Sequence, residues 1–205
     1  MSYQIVIAGV GGQGVVTLTE IVGQASILSG LKVNGAETHG MAQRGGSVVS
    51  HLRIGQSSMA PLITDGMADA ILALEPSEAL RHAKLLKSDG VIIYSTDVIT
   101  PSSITIQHKE YPPITPIYNK LTKIAKFVFP IQSNVLLERG IPIKSLNIAI
   151  LGGLSGFWEY NNFIPIISND KFLEVISKRW PKNFDINKKA FEFGQHSILN
   201  LNISQ

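Results

Sequence analysis

Ile5-Val6-Ile7-Ala8-Gly9-Val10-Gly11-Gly12-Gln13-Gly14 decides how the chain folds. It opens as a short apolar run of the kind a buried parallel strand shows. It then breaks into four glycines within six residues. Directly afterwards Val15, Leu18, Ile21, Val22, Ala25 and Leu28 recur at helical spacing, and Gly30 stands where a helix ends in the left-handed conformation. The stretch therefore reads as strand, tight turn, helix. Gly9, Gly11 and Gly14 fit G-x-G-x-x-G in the setting that motif needs. Free amides and the helix dipole at such a turn make a site for an anion. The other reading is that the glycines only permit a tight turn and close helix–sheet packing.

Working outward, Leu31–Asn34 reads as a short strand, and Glu37 follows 23 residues after Gly14. An acidic residue there suits the ribose of a dinucleotide. The next stretch, Thr38-His39-Gly40-Met41-Ala42-Gln43-Arg44-Gly45-Gly46, has no helical period and reads as a loop. Its one fixed cation is Arg44, a planar fork suited to phosphate or carboxylate. Ser47–Ile54 alternates, with Val48, Leu52 and Ile54 on one face and His51 and Arg53 on the other. With no helix before it, this strand is expected to run antiparallel to a neighbour, so the sheet is mixed.

Strand and helix then recur. Asp69–Leu74 reads as a buried strand. Pro76 and Ser77 open a helix with Ala79, Leu80, Ala83 and Leu86 inward and Gly90 at its close. Val91–Tyr94 is the next strand. Residues 95–117 are broken by prolines, with one candidate strand at Ile104–Gln107. A helix near Tyr118–Ile124 and a strand at Lys126–Pro130 follow. Ile143–Trp158 reads as a glycine-containing helix, in which Gly152, Gly153 and Gly156 let a second helix pack closely. Asn169 or Asp170 caps a helix through Arg179, and Asp185 caps the last one. The fold class is α/β, a three-layer α/β/α arrangement around a mostly parallel, mixed sheet, with residues 1–205 forming one domain.

Composition narrows the function. The 44% hydrophobic and 16% charged content describe a globular chain. No basic leader precedes an apolar segment, and no apolar run is long enough to cross a bilayer, so a cytoplasmic protein is expected. The absence of cysteine excludes thiolate chemistry and a cysteine-held iron–sulfur cluster on this chain. The net charge of +3 is spread along helices without a focused stripe, which argues against nucleic acid. Five histidines show no metal-ligand spacing, so no metal site is expected.

The segments Ile7–Val15 and Gly35–Val48, supported by Ala70–Pro76 and Asn187–Gly194, resemble the small (beta) subunit of indolepyruvate:ferredoxin oxidoreductases. These are similar in turn to the gamma subunit, or third domain, of pyruvate:ferredoxin oxidoreductases. The resemblance implies a three-layer fold and a part in the oxidative decarboxylation of aryl pyruvates to the acyl-coenzyme A, with electrons passed to ferredoxin. It implies that thiamine diphosphate, magnesium and 4Fe–4S clusters belong to a large (alpha) subunit, and that this chain holds no cofactor alone. It further implies a hetero-oligomer, no membrane or nucleic-acid partner, and coenzyme A as co-substrate. The residues it places beside the coenzyme are Gly9, Gly11, Gly12, Gln13 and Gly14, with Thr38, Arg44, Gly45 and Gly46 from the second segment. No catalytic residue is assigned to this chain. Two other readings stand beside it: a free-standing NAD(P)-binding oxidoreductase resting on Gly9–Gly14 and Glu37, and an assembly subunit whose glycine loops only dock.

Overall fold

The computed structural model describes residues 2–39, 45–55, 60–99, 111–161 and 166–199. Among these, six strands form one sheet: β1 (Ser2–Val10), β2 (Lys32–His39), β3 (Ser47–Gly55), β4 (Ala68–Ala73), β5 (Leu86–Ser95) and β6 (Phe127–Ile131). The helices are α1 (Val15–Leu28), α2 (Pro76–His82), α3 (Ile114–Ile124), α4 (Ser133–Glu138), α5 (Leu146–Tyr160), α6 (Asn169–Arg179) and α7 (Phe184–Leu199). The sheet order is β2-β3-β1-β4-β5-β6. Strands β1, β4, β5 and β6 are parallel neighbours, and β3 pairs antiparallel with both β1 and β2. The mixed sheet expected from the sequence is therefore present.

Strand alternation divides the core into two layers. Ile5 and Ile7 of β1, Leu72 of β4 and Ile93 of β5 pack with α1, α5, α6 and α7. Val6 and Ala8, Ile71 and Ala73, and Ile92 and Tyr94 face α2 and α3 on the other side. Burial raises the Tyr94 hydroxyl pKa to about 12, so it stays a neutral phenol. Helix α5 is buried from Leu146 through Trp158, which fits its apolar character all round. Its outer neighbour is α7, and the two meet backbone to backbone. A Cβ on Gly152 would fall 1.9 Å from the Phe191 carbonyl oxygen, and one on Gly194 would fall 1.8 Å from that of Ala149.

Several local expectations are corrected. Gly90 does not close α2. That helix ends in a 3₁₀ turn, Ala83–Leu85, and Gly90 lies inside β5, where a side chain would strike Leu86 and the Asp69 carbonyl. Strand β2 extends to His39, so Thr38 and His39 belong to a strand and not to the loop. Ser168, not Asn169 or Asp170, is the N-cap of α6, and Asp185 lies within the first turn of α7. The candidate strand Ile104–Gln107 lies outside the described residues.

Strand β3 is buried on both faces at its centre. His51 is buried, and its Nδ1 accepts a hydrogen bond from the Ile63 amide at 3.2 Å. The chain around Ile63 covers the face that alternation alone would leave wet. Burial, helped by the neighbouring His82 and Arg53, holds the His51 imidazole below its ordinary pKa of 6.5. Protonation would also remove the acceptor.

Two stability predictions follow from this packing. Gly152→Ala is expected to destabilise the fold by about 3 kcal/mol through backbone collision, whereas Gly23→Ala, in open space on α1, is expected to stabilise by about 0.5–1 kcal/mol. Urea unfolding of both variants checks the opposite signs. His51 keeps its proton off in the fold, so its contribution is present above pH 6.5 and is lost as pH falls through and below that value. Unfolding midpoints at pH 7.5 and 5.5 should therefore fall further for wild type than for His51→Asn, which retains an acceptor without the titration.

Candidate functional site at the carboxyl edge of the sheet

The chain leaves β1 for β2 through α1 on one face, while β4–β5–β6 progress the other way with α2 and α3 on the opposite face. The carboxyl ends of β1 and β4 thus flank a topological switch point, where open α/β sheets bind ligands. The turn Gly9–Gly14 sits there. Gln13 closes it: its Oε1 accepts from the Val10 amide at 2.7 Å, and its Nε2 donates to the Leu74 carbonyl at 2.7 Å. Gly9 is glycine because a Cβ would lie 2.9–3.1 Å from Val15, Gln13 and Leu74. Gly14, the N-cap of α1, has φ 90°, and a Cβ on it would meet Asn147 Nδ2 at 2.7 Å.

The two glycine-rich segments touch. The Gly11 amide donates to the Gly46 carbonyl at 2.8 Å. Ser47 lies opposite Val10 in the β1–β3 ladder, so this bond continues the ladder into the turn. Gly45 follows the same bend with φ 74°.

Beside the turn lies a cleft of about 340 Å³. Its polar lining includes Gly12, Gly14, Thr17, Asp97, Lys144 and Asn147, and Trp180 forms part of its wall. The start of α1 and the first residues of α5 line it; α5 continues from a 3₁₀ turn, Ile143–Ser145, and its Leu146 and Ile148 amides are taken by the Ile143 carbonyl and by Asn147 Oδ1. Neither helix carries an acidic residue in its first turn, and α1 has no side-chain cap. The first-turn amides of α1 have no partner within the helix. The uncapped start of α1 and the Lys144 ammonium, against one carboxylate, Asp97, favour an anion in the cleft.

Behind the turn, on the α2 face, are two fully buried carboxylates. Glu75 caps α2, accepting from the Ser77 and Glu78 amides and from the Ser77 and Tyr111 hydroxyls. Burial raises its pKa despite those donors. Burial also pushes Glu78 upward, but His82, Ser47 and Arg81 outweigh it, and its net shift is downward.

Of the residues read from sequence, Gly9, Gly11, Gly12, Gln13, Gly14, Gly45 and Gly46 come together at this edge. Thr38 does not. It is exposed on β2, with its hydroxyl directed to the Val49 carbonyl at 3.5 Å. Arg44 lies outside the described residues. Glu37 is on the outermost strand with β3 between it and β1, so it is not the acidic residue adjacent to a dinucleotide turn. Sequence reasoning missed Lys144, Asn147, Asp97, Trp180 and the pair Glu75/Glu78. The Glu75-Pro76-Ser77-Glu78 string carried a readable capping signal. The cleft residues gather only through tertiary packing.

Among the described residues no three His, Asp or Glu side chains are grouped to hold a metal ion, and no helix is long and apolar enough to cross a membrane.

Comparison with known proteins agrees with this architecture. The chain is 38% identical over 97% of its length, and 96% of the relative's, to the indolepyruvate oxidoreductase subunit IorB of Archaeoglobus fulgidus. It is 35% identical to the Thermococcus kodakarensis subunit of the same name, covering 94% of each. Among solved structures, a keto/oxoacid ferredoxin oxidoreductase gamma subunit from Geobacter sulfurreducens shares the fold with a TM-score of 0.65 at 21% identity, covering 97% of this chain and 99% of that one. The 2-oxoglutarate:ferredoxin oxidoreductase of Magnetococcus marinus, solved with 2-oxoglutarate, coenzyme A and succinyl-CoA bound, gives a TM-score of 0.70 at 19% identity. There the match covers 96% of this chain but 31% of the longer one. Residues 4–196 match the family described as pyruvate ferredoxin/flavodoxin oxidoreductase, and the chain belongs to that family.

Proposed function

We propose that this chain is the small subunit of a 2-oxoacid:ferredoxin oxidoreductase of the indolepyruvate type. In this reading residues 1–205 form one gamma-type domain that binds the diphosphate of coenzyme A between the α1 turn and the N-terminus of α5. The observation that carries the proposal is the convergence of Gly12–Gly14 at the start of α1 with Lys144 and Asn147 on one cleft, the turn itself being tied to the second glycine segment by the Gly11–Gly46 bond. Full-length similarity to indolepyruvate oxidoreductase subunits supports the substrate class.

The chemistry divides between chains. This chain has no cysteine to hold an iron–sulfur cluster, and this reading gives the clusters, with thiamine diphosphate and magnesium, to a large subunit that also meets ferredoxin. The task of this chain is electrostatic. Backbone amides and a lysine orient the phosphate end of the co-substrate, so that its thiol arrives at a reacting centre held by the partner. A cytoplasmic location follows from this reading.

Co-purification with a cysteine-rich, thiamine-containing chain tests the assignment of partner. The site is tested in the assembled enzyme. Arg44→Ala and Lys144→Ala should each raise the KM for coenzyme A while leaving that for indolepyruvate nearly unchanged. Losing one charge-assisted contact costs about 1.5–3 kcal/mol, or roughly ten- to a hundredfold in affinity. Arg44→Lys should recover only part, because a point charge does not reproduce the planar fork. Dissociation of the subunits by either alanine variant would identify that residue as a docking element instead.

A further inference from the structure

Glu78 is remote from the cleft and lies on the opposite face of the sheet, yet its carboxylate is wholly buried and held charged. A buried charge is costly unless its partners are fixed. Here both oxygens are engaged. Oε1 accepts from Arg81 Nε at 3.0 Å, while Oε2 accepts from the Ser47 hydroxyl at 2.5 Å and lies 3.5 Å from His82 Nε2. Arg81 and His82 are on the same helix as Glu78, so the bond to Ser47 is the one that crosses to another element.

Ser47 is the first residue of β3 and follows Gly46, whose carbonyl receives the Gly11 amide. One peptide link, Gly46–Ser47, and two hydrogen bonds therefore connect a buried charge on α2 to the glycine turn. Within the turn the Gln13 side chain ties Val10 to Leu74, and the tie to β3 is made by backbone alone.

We infer that Glu78 is a positioning residue for the cleft, acting through Ser47 and Gly46 on the backbone of the Gly11–Gly14 turn. The inference rests on the reading of the cleft as the coenzyme's phosphate site. Without the Ser47–Glu78 bond, the start of β3 is held by its backbone ladder to β1 alone, the Gly46 carbonyl that receives the Gly11 amide is held less firmly, and the turn presents Gly12 and Gly14 to the cleft less exactly.

A double-mutant cycle in the assembled enzyme tests this. Ser47→Ala and Glu78→Gln should each raise the KM for coenzyme A about tenfold. The kcat and the KM for indolepyruvate should stay near wild type. The double variant should be no worse than either single one, because both remove the same link. Ser47→Ala is the milder change and leaves Glu78 paired with Arg81, so it reports even if Glu78→Gln folds poorly. Fully additive effects, or a fall in kcat with KM unchanged, would overturn the inference. Lys144→Ala separates the two ideas. If it raises the KM for coenzyme A while Ser47→Ala does not, the positioning role fails and the cleft reading stands. If none of these variants moves that KM, both fall.

Discussion

One amide side chain closes the edge of the sheet on which the site depends. Gln13 reaches back to the Val10 amide and across to the Leu74 carbonyl, joining the turn after β1 to the end of β4. At a switch point the two strands diverge into opposite crossovers, and their last polar groups have no ladder partner beyond them. Gln13 supplies both a donor and an acceptor at that gap. With the Leu74 amide also donating to Ala8, the two strand ends cannot splay. Everything that lines the cleft, from Gly12 to Asn147, is placed relative to this corner.

The buried carboxylates extend the same frame. Glu75 secures the start of α2 and receives Tyr111 from the stretch leading into α3. Glu78 receives Ser47 from the base of β3. Each ties a segment distant in sequence to α2, so the loops around the edge share one reference body. A site made largely of backbone amides has no rotamers to tune, and its precision comes from where the backbone is anchored.

Much of this was legible from the chain. Glycine punctuation after an apolar run marked the β1–α1 turn, alternation of Val48, Leu52 and Ile54 with His51 and Arg53 marked β3, and the small residues of Gly152–Gly156 marked a close helix contact. Those signals are local, and local chemistry sets them. What was not legible is long-range. Alternation in β3 could not show that the segment near Ile63 buries His51. Nothing in Glu37 could show that β3 inserts between its strand and β1. Lys144, Asn147 and Trp180 are ordinary residues at helix ends, and they become a cleft only when α5 and α6 pack beside α1. The Gly90 reading failed because a glycine after an apolar helix face serves equally well inside a strand that must pass close to a neighbouring carbonyl.

The bare seam between α5 and α7 has a mechanical consequence. Side chains at an ordinary helix interface absorb small displacements by changing rotamer, but here carbonyl and α-carbon stand against one another with nothing between them to rotate. The pair therefore shifts as a single beam. Asn147 forms one end of that beam, against Gly14 in the cleft, and Gln195 sits farther along, beside Gly156. A displacement at Asn147 would therefore be carried along both helices toward Gln195, because no side chain stands between them to take it up.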